Sequence, residues 1–177
     1  MEIEQEDMIM EKHFYPDGEL NCYGPPVDGK KNGLWKYFRK DGSLEEDQEW
    51  KNDKQDGAKI EYRQDGSILS VAFWENNEMN GLNIEFHPNG LIKDRTKIIS
   101  GLTEGLATTY RSSGLPHLIG EHKKDNLHGR QQEYYENGHI KSDCVYVNGQ
   151  LHGICKFWNE SGEELGSDEY VDGKIRT

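Results

Sequence analysis

The chain has 177 residues, 33% of them hydrophobic, with a net charge of −12, which disfavours direct nucleic-acid binding and adsorption on an anionic membrane. No apolar run approaches the roughly 20 residues of a spanning helix, and the acidic start, Met1 to Asp7, lacks the cationic and apolar regions of a secretory signal. Cys22, Cys144 and Cys155 are an odd number without CxxC spacing, which argues against a disulfide framework or structural zinc and points to a soluble, cytoplasmic protein.

Beyond an acidic tail (1–8), the chain reads as a 24-residue repeat. Its leading glycines are Gly33, Gly57, Gly81, Gly105, Gly129 and Gly153. The same register extended back to Ile9 defines seven units: 9–32, 33–56, 57–80, 81–104, 105–128, 129–152 and 153–176. Positions within a unit are counted from zero at the leading glycine. Position 9 is Gly18, Gly42, Gly66, Gly90, Gly114, Gly138 or Gly162, each after Asp, Asn or Ser, the dipeptides of tight hairpin turns. Position 20 (Gly29, Asp53, Asn77, Gly101, Asp125, Gly149, Gly173) signals a second reversal.

The segments between turns alternate in character, as half-buried strands do. Position 5 is aromatic throughout: Phe14, Phe38, Tyr62, Phe86, Tyr110, Tyr134 and Trp158. Position 1 is mostly aliphatic (Leu34, Leu82, Leu106, Ile154), position 11 is mostly Leu or Ile, and position 17 carries Trp50, Trp74, Ile98, Tyr146 and Tyr170. Since these positions are all odd, unbroken alternation places them on one buried face and gives the even positions to solvent. The expected fold is all-β: an elongated single-layer antiparallel meander of seven 24-residue β-hairpin repeats, without substantial helix. Pro25 and Pro26 suit only an edge or a frayed cap. Pro116 and His122 break the repeat pattern and predict irregular pairing over 114–124.

The unit from Gly129 to Gly153, Gly-x4-Tyr-x3-Gly-x-Ile followed by Tyr-x-Asn-Gly-x-x-His-Gly, resembles the bacterial variant of the MORN repeat, and the resemblance extends over 9–176. That resemblance implies a scaffold fold and, through the family's frequent assignment, an antitoxin or immunity protein of a bacterial toxin system.

Catalytic signatures are not found: GxSxG, HExxH, GxxxxGK[ST] and CxxC are all missing. His128 and His152 share the position before the leading glycine with Asn32, Asp56, Asn80 and Glu104, which assigns them to turn chemistry. His117 and His122 lack an evident third ligand. No catalytic residue, metal or cofactor is therefore expected. Lys93, Arg95 and Lys97 alternate along one strand and predict a basic spot that Arg111 extends; with His122, Trp50 and Trp74 they are the candidate partner-binding residues. The expected partner is a protein, basic because this chain is acidic and by the resemblance a toxin, with homo-oligomerisation or a membrane-associated scaffold as the alternative.

Overall fold

A computed structural model describes residues 10–176. The acidic tail lies outside the described residues. The chain divides into two compact units, Met1–Asn80 and Gly81–Thr177, and the division falls on a repeat boundary.

The N-terminal unit contains β1 (Glu11–Phe14), β2 (Leu20–Gly24), β3 (Pro26–Val27), β4 (Lys30–Lys31), β5 (Gly33–Phe38), β6 (Leu44–Lys51), β7 (Lys54–Tyr62) and β8 (Ile68–Glu75). The strands β1, β2, β5, β6, β7 and β8 pair antiparallel in chain order. β9 (Glu78–Phe86) carries the chain across the boundary. The C-terminal unit continues with β10 (Ile92–Ile99), β11 (Leu102–Thr103), β12 (Gly105–Tyr110), β13 (Pro116–Lys123), β14 (Asn126–Tyr134), β15 (Ile140–Val147), β16 (Gln150–Leu151), β17 (Gly153–Trp158), β18 (Glu164–Val171) and β19 (Lys174–Ile175). There too the long strands pair antiparallel with their chain neighbours. Among the described residues there is no helix, so the all-β antiparallel meander expected from the repeat is the observed fold.

The turn chemistry is that of the sequence. In the second repeat Arg39 N–H donates to Ser43 O and Gly42 N–H to Arg39 O, both at 2.9 Å. Gly42 closes this loop at φ 83°, a conformation that a residue bearing a Cβ resists. Asp41 accepts from the Ser43 amide at 2.9 Å and from its hydroxyl at 2.6 Å.

The facing of the strands departs from simple alternation. In each hairpin the register slips by one residue: Tyr37 opposes Glu46 but Phe38 opposes Leu44, and Glu133 opposes Ser142 but Tyr134 opposes Ile140. The extra residue, at position 12, is a β-bulge, and beyond a bulge the odd and even positions exchange faces. Positions 1, 3, 5 and 11 therefore share one face with 14 and 16, while 13, 15 and 17 share the other with 0, 2 and 4. The expectation that Trp50 and Trp74 lie on the face of Phe38 and Tyr62 is thus wrong.

The buried row is correspondingly not the aromatic stripe. Trp35 and Gln48 are fully buried and directly opposed. They belong to the row of positions 2 and 15, which also buries Ala72 in the N-terminal unit and Cys144 and Cys155 in the C-terminal unit. Position 5 is half-buried or, at Phe14, exposed. Gly24 sits in the same row because its backbone lies against the Trp35 indole, where a Cβ would collide with the ring. Cys144 and Cys155 face each other with their Cα atoms 4.1 Å apart and are joined as a disulfide. That corrects the expectation drawn from cysteine count and spacing, because a strand pairing can bring together residues that carry no spacing motif.

The prolines behave differently from one another. Pro25 and Pro26 interrupt the second strand of the first repeat, and Pro26–Val27 pairs instead with Lys30–Lys31 as a separate two-stranded ribbon. Pro25 is buried, not frayed, and its carbonyl accepts the Trp35 indole N–H at 3.2 Å. Pro116, expected to disturb pairing, opens β13 at the bulge, opposite Tyr110. As first residue of a strand it removes no interior ladder donor, and β13 pairs on both sides.

Candidate interaction surface

Within each unit, two sets of contacts tie consecutive repeats together, and they absorb several residues that the sequence offers as candidates. At position 6, Tyr15 donates to Phe38 O at 2.8 Å and Arg39 to Tyr62 O at 2.5 Å in the N-terminal unit. In the C-terminal unit His87 Nε2 lies 2.8 Å from Tyr110 O, Arg111 donates to Tyr134 O at 2.7 Å, and Tyr135 donates to Trp158 O at 2.8 Å. Each contact reaches the position 5 carbonyl of the following repeat. Arg111 is therefore part of the scaffold and does not extend a basic spot.

The second set forms at the other turn. The backbone N–H at position 20 donates to the position 22 carbonyl of the preceding repeat: Asp53 to Lys31 at 3.1 Å, Gly149 to Leu127 at 2.8 Å. The side chain at position 23 accepts from the position 19 amide: Asn32 from Asn52 at 3.1 Å, Glu104 from Lys124 at 3.1 Å, His128 Nδ1 from Asn148 at 3.4 Å. His128 thus does what Asn and Glu do elsewhere, as its position predicts. Among the described residues no group of three His, Cys, Asp or Glu side chains could hold a metal ion.

The remaining candidates separate. Lys93 is the bulge residue of its hairpin and its ammonium lies 2.7 Å from Glu85; Lys141 and Glu133 repeat this pair at 2.8 Å. Arg95 opposes Ile84 and Lys97 opposes Leu82, so these two cations sit on the other face, exposed. Trp50, Trp74 and His122 are all half-buried at position 17; Trp50 and Trp74 belong to the N-terminal unit, and in the C-terminal unit His122 lies on the face that Arg95 and Lys97 do not share. Lys93, Arg95, Lys97 and His122, all in the C-terminal unit, are therefore not one site. What the sequence reading missed is the row of positions 1 and 16, because the aliphatic residues of position 1 were assigned to the buried face and those of position 16 to the opposite one.

In the C-terminal unit that row exposes Leu106 (57%), Val145 (40%) and Ile154 (56%). Charged residues interleave with them: Leu106 opposes Glu121, Arg130 opposes Val145, and Ile154 opposes Glu169. Arg130 also chelates Asp143 on this face through Nε at 2.7 Å, and the guanidinium holds that carboxyl below the usual carboxylate range. Arg95 and Lys97 lie on the same face, one repeat earlier than Leu106. Large apolar side chains set among charges on an open sheet face have the make-up of an interaction surface.

Residues 31–52 and 127–148 match the MORN repeat variant. The two MORN-variant stretches lie in different units of the fold and begin at position 22, just after the second turn. They contain Lys31, Trp35 and Trp50 in the first case and His128, Tyr134 and Cys144 in the second. No curated protein matches the chain.

Proposed function

We propose that this chain is a non-enzymatic protein-binding repeat module, of the immunity or antitoxin type, that neutralises a toxin by covering it. The observation that carries the binding reading is the exposed Leu106, Val145 and Ile154 row, which the scaffold contacts leave unused. Interfaces are centred on such apolar anchors with Arg at hand, here Arg95. The excess of acid over base suits a basic partner, since opposite net charge accelerates encounter. The toxin itself rests on the resemblance of the repeat to the bacterial MORN variant.

The test is co-expression with the product of the adjacent open reading frame, comparing the wild-type chain with Ile154→Asp and Leu106→Glu. The reading expects a complex and protection from toxicity, both lost in the variants while the melting temperature is kept. Light scattering of the chain alone decides the scaffold alternative. A dimer broken by the same variants, with no complex and no protection, overturns the immunity reading in favour of self-assembly through this row.

A further inference from the structure

The ammonium of Lys31 is enclosed by aromatic rings. Its Nζ lies 4.7 Å from the Trp35 ring centroid, 4.8 Å from Trp50 and 5.0 Å from Tyr37, and donates to the Tyr37 hydroxyl at 2.9 Å. Among the described residues no carboxylate is within ion-pair distance of it, although acidic side chains outnumber basic ones by 33 to 21. The charge is met by the negative faces of two π-systems, Trp35 and Trp50, each such contact contributing about 0.5–2 kcal/mol according to its exposure to water, while Tyr37 meets it at the ring edge through its hydroxyl.

The repeat does not require this arrangement. Position 22 is Lys31 in the first repeat but Gln55, Met79, Thr103, Leu127, Leu151 or Ile175 later; position 2 is Trp35 but Lys59, Asn83, Ala107, Gln131 or Cys155 elsewhere; position 4 is Tyr37 but mostly Glu or Thr beyond it. Three departures from the repeat coincide where one cation meets three rings. The cage itself is held from outside. Trp35 is fully buried and bonded to Pro25 O, Trp50 opposes Gly33 in the β5–β6 pair, and Gly24 gives Trp35 its space. Lys31 is anchored through its backbone, with N–H to Asp53 Oδ1 at 2.8 Å and O from Asp53 N–H at 3.1 Å. Its flexible four-carbon stem can therefore leave the rings without unfolding the ribbon.

We propose that Trp35, Tyr37 and Trp50 form a binding site for a quaternary ammonium group, with the Lys31 ammonium as its resident, displaceable occupant. Rings of this kind bind trimethylammonium well because the methylated cation is weakly hydrated and needs no hydrogen-bond acceptor. A primary ammonium is more strongly hydrated, so exchange of Lys31 for such a ligand returns a well-solvated cation to water. The site is independent of the partner surface proposed above, which lies in the other unit.

Tryptophan fluorescence of the full chain titrated with tetramethylammonium chloride, against sodium chloride at matched ionic strength, tests this. Lys31→Ala opens the cage and is expected to bind at least about tenfold more tightly than wild type, the factor that about 1.4 kcal/mol of lost competition supplies. Adding Trp50→Leu to that variant is expected to remove the binding. Choline and a peptide carrying trimethyllysine, beside its unmethylated form, then tell a free ligand from a protein-borne one. A folded Lys31→Ala chain with no saturable response, or equal binding after Trp50→Leu, overturns the proposal. Should Lys31→Ala fail to fold, 13C reductive methylation of the wild-type chain replaces it: the Lys31 signal is expected upfield and to move on adding tetramethylammonium. An upfield signal that stays unmoved overturns the proposal equally.

Discussion

The phenol of Tyr135 donates to the carbonyl of Trp158, 23 residues further on, at 2.8 Å, and Arg111 makes the same connection to Tyr134 at 2.7 Å. These contacts join consecutive repeats of the C-terminal unit, from position 6 of one to the position 5 carbonyl of the next. Tyr135→Phe removes one neutral donor and is expected to cost about 1 kcal/mol, whereas Arg111→Met removes a charged one and is expected to cost about 1.5–3 kcal/mol. The urea midpoint of the C-terminal unit, followed by hydrogen exchange, measures both. Equal, negligible shifts would show that the ladder is incidental.

Gly24 is in place because Trp35 covers it. A methyl group there would collide with the indole, and overpacking of this kind costs about 1–3 kcal/mol. Gly24→Ala is expected to lower the melting temperature and to shift tryptophan emission to the red as Trp35 is pushed toward water. Unchanged emission would mean that the ring slides aside within its pocket.

The carboxyl of Asp41 is held down at about 2 by the hydroxyl and backbone amide of Ser43 and by the Gln64 amide. The unfolded chain should titrate near the ordinary aspartate value of about 3.9. Because the folded pKa is the lower one, the turn's contribution to stability is full above about pH 4 and is lost as pH falls toward about 2. Carboxyl NMR titration is expected to find the low midpoint in the wild type and a higher one in Ser43→Ala. An ordinary midpoint in the wild type would remove the turn from the acid response.

The bond between Cys144 and Cys155 leaves Cys22 as the one free thiol, and it is buried. Alkylation of the unreduced, denatured chain is therefore expected to label one cysteine, and alkylation after reduction all three. Replacing both partners with alanine is expected to cost about 3 kcal/mol by the loop-entropy model, felt in the C-terminal hairpins. Labelling of three thiols without reduction would refute the bridge.

The repeat and its turns were legible in the sequence, because glycine, Asn and Asp at positions 9 and 20 act locally: each sets its own backbone conformation whatever packs around it. The role of His128 was legible for the same reason. Which face each strand residue occupies was not, since one bulge at position 12 exchanges the faces beyond it and alternation counted along the chain cannot register an unpaired residue. That single displacement put Val145 on the face of Leu106 and Ile154, parted Lys93 from Arg95 and Lys97, and set Gln48 opposite Trp35 in the buried row. Contacts between residues 23 apart, the Cys144–Cys155 bond and the rings around Lys31 belong to the tertiary structure alone, because only strand pairing brings those side chains within reach of one another.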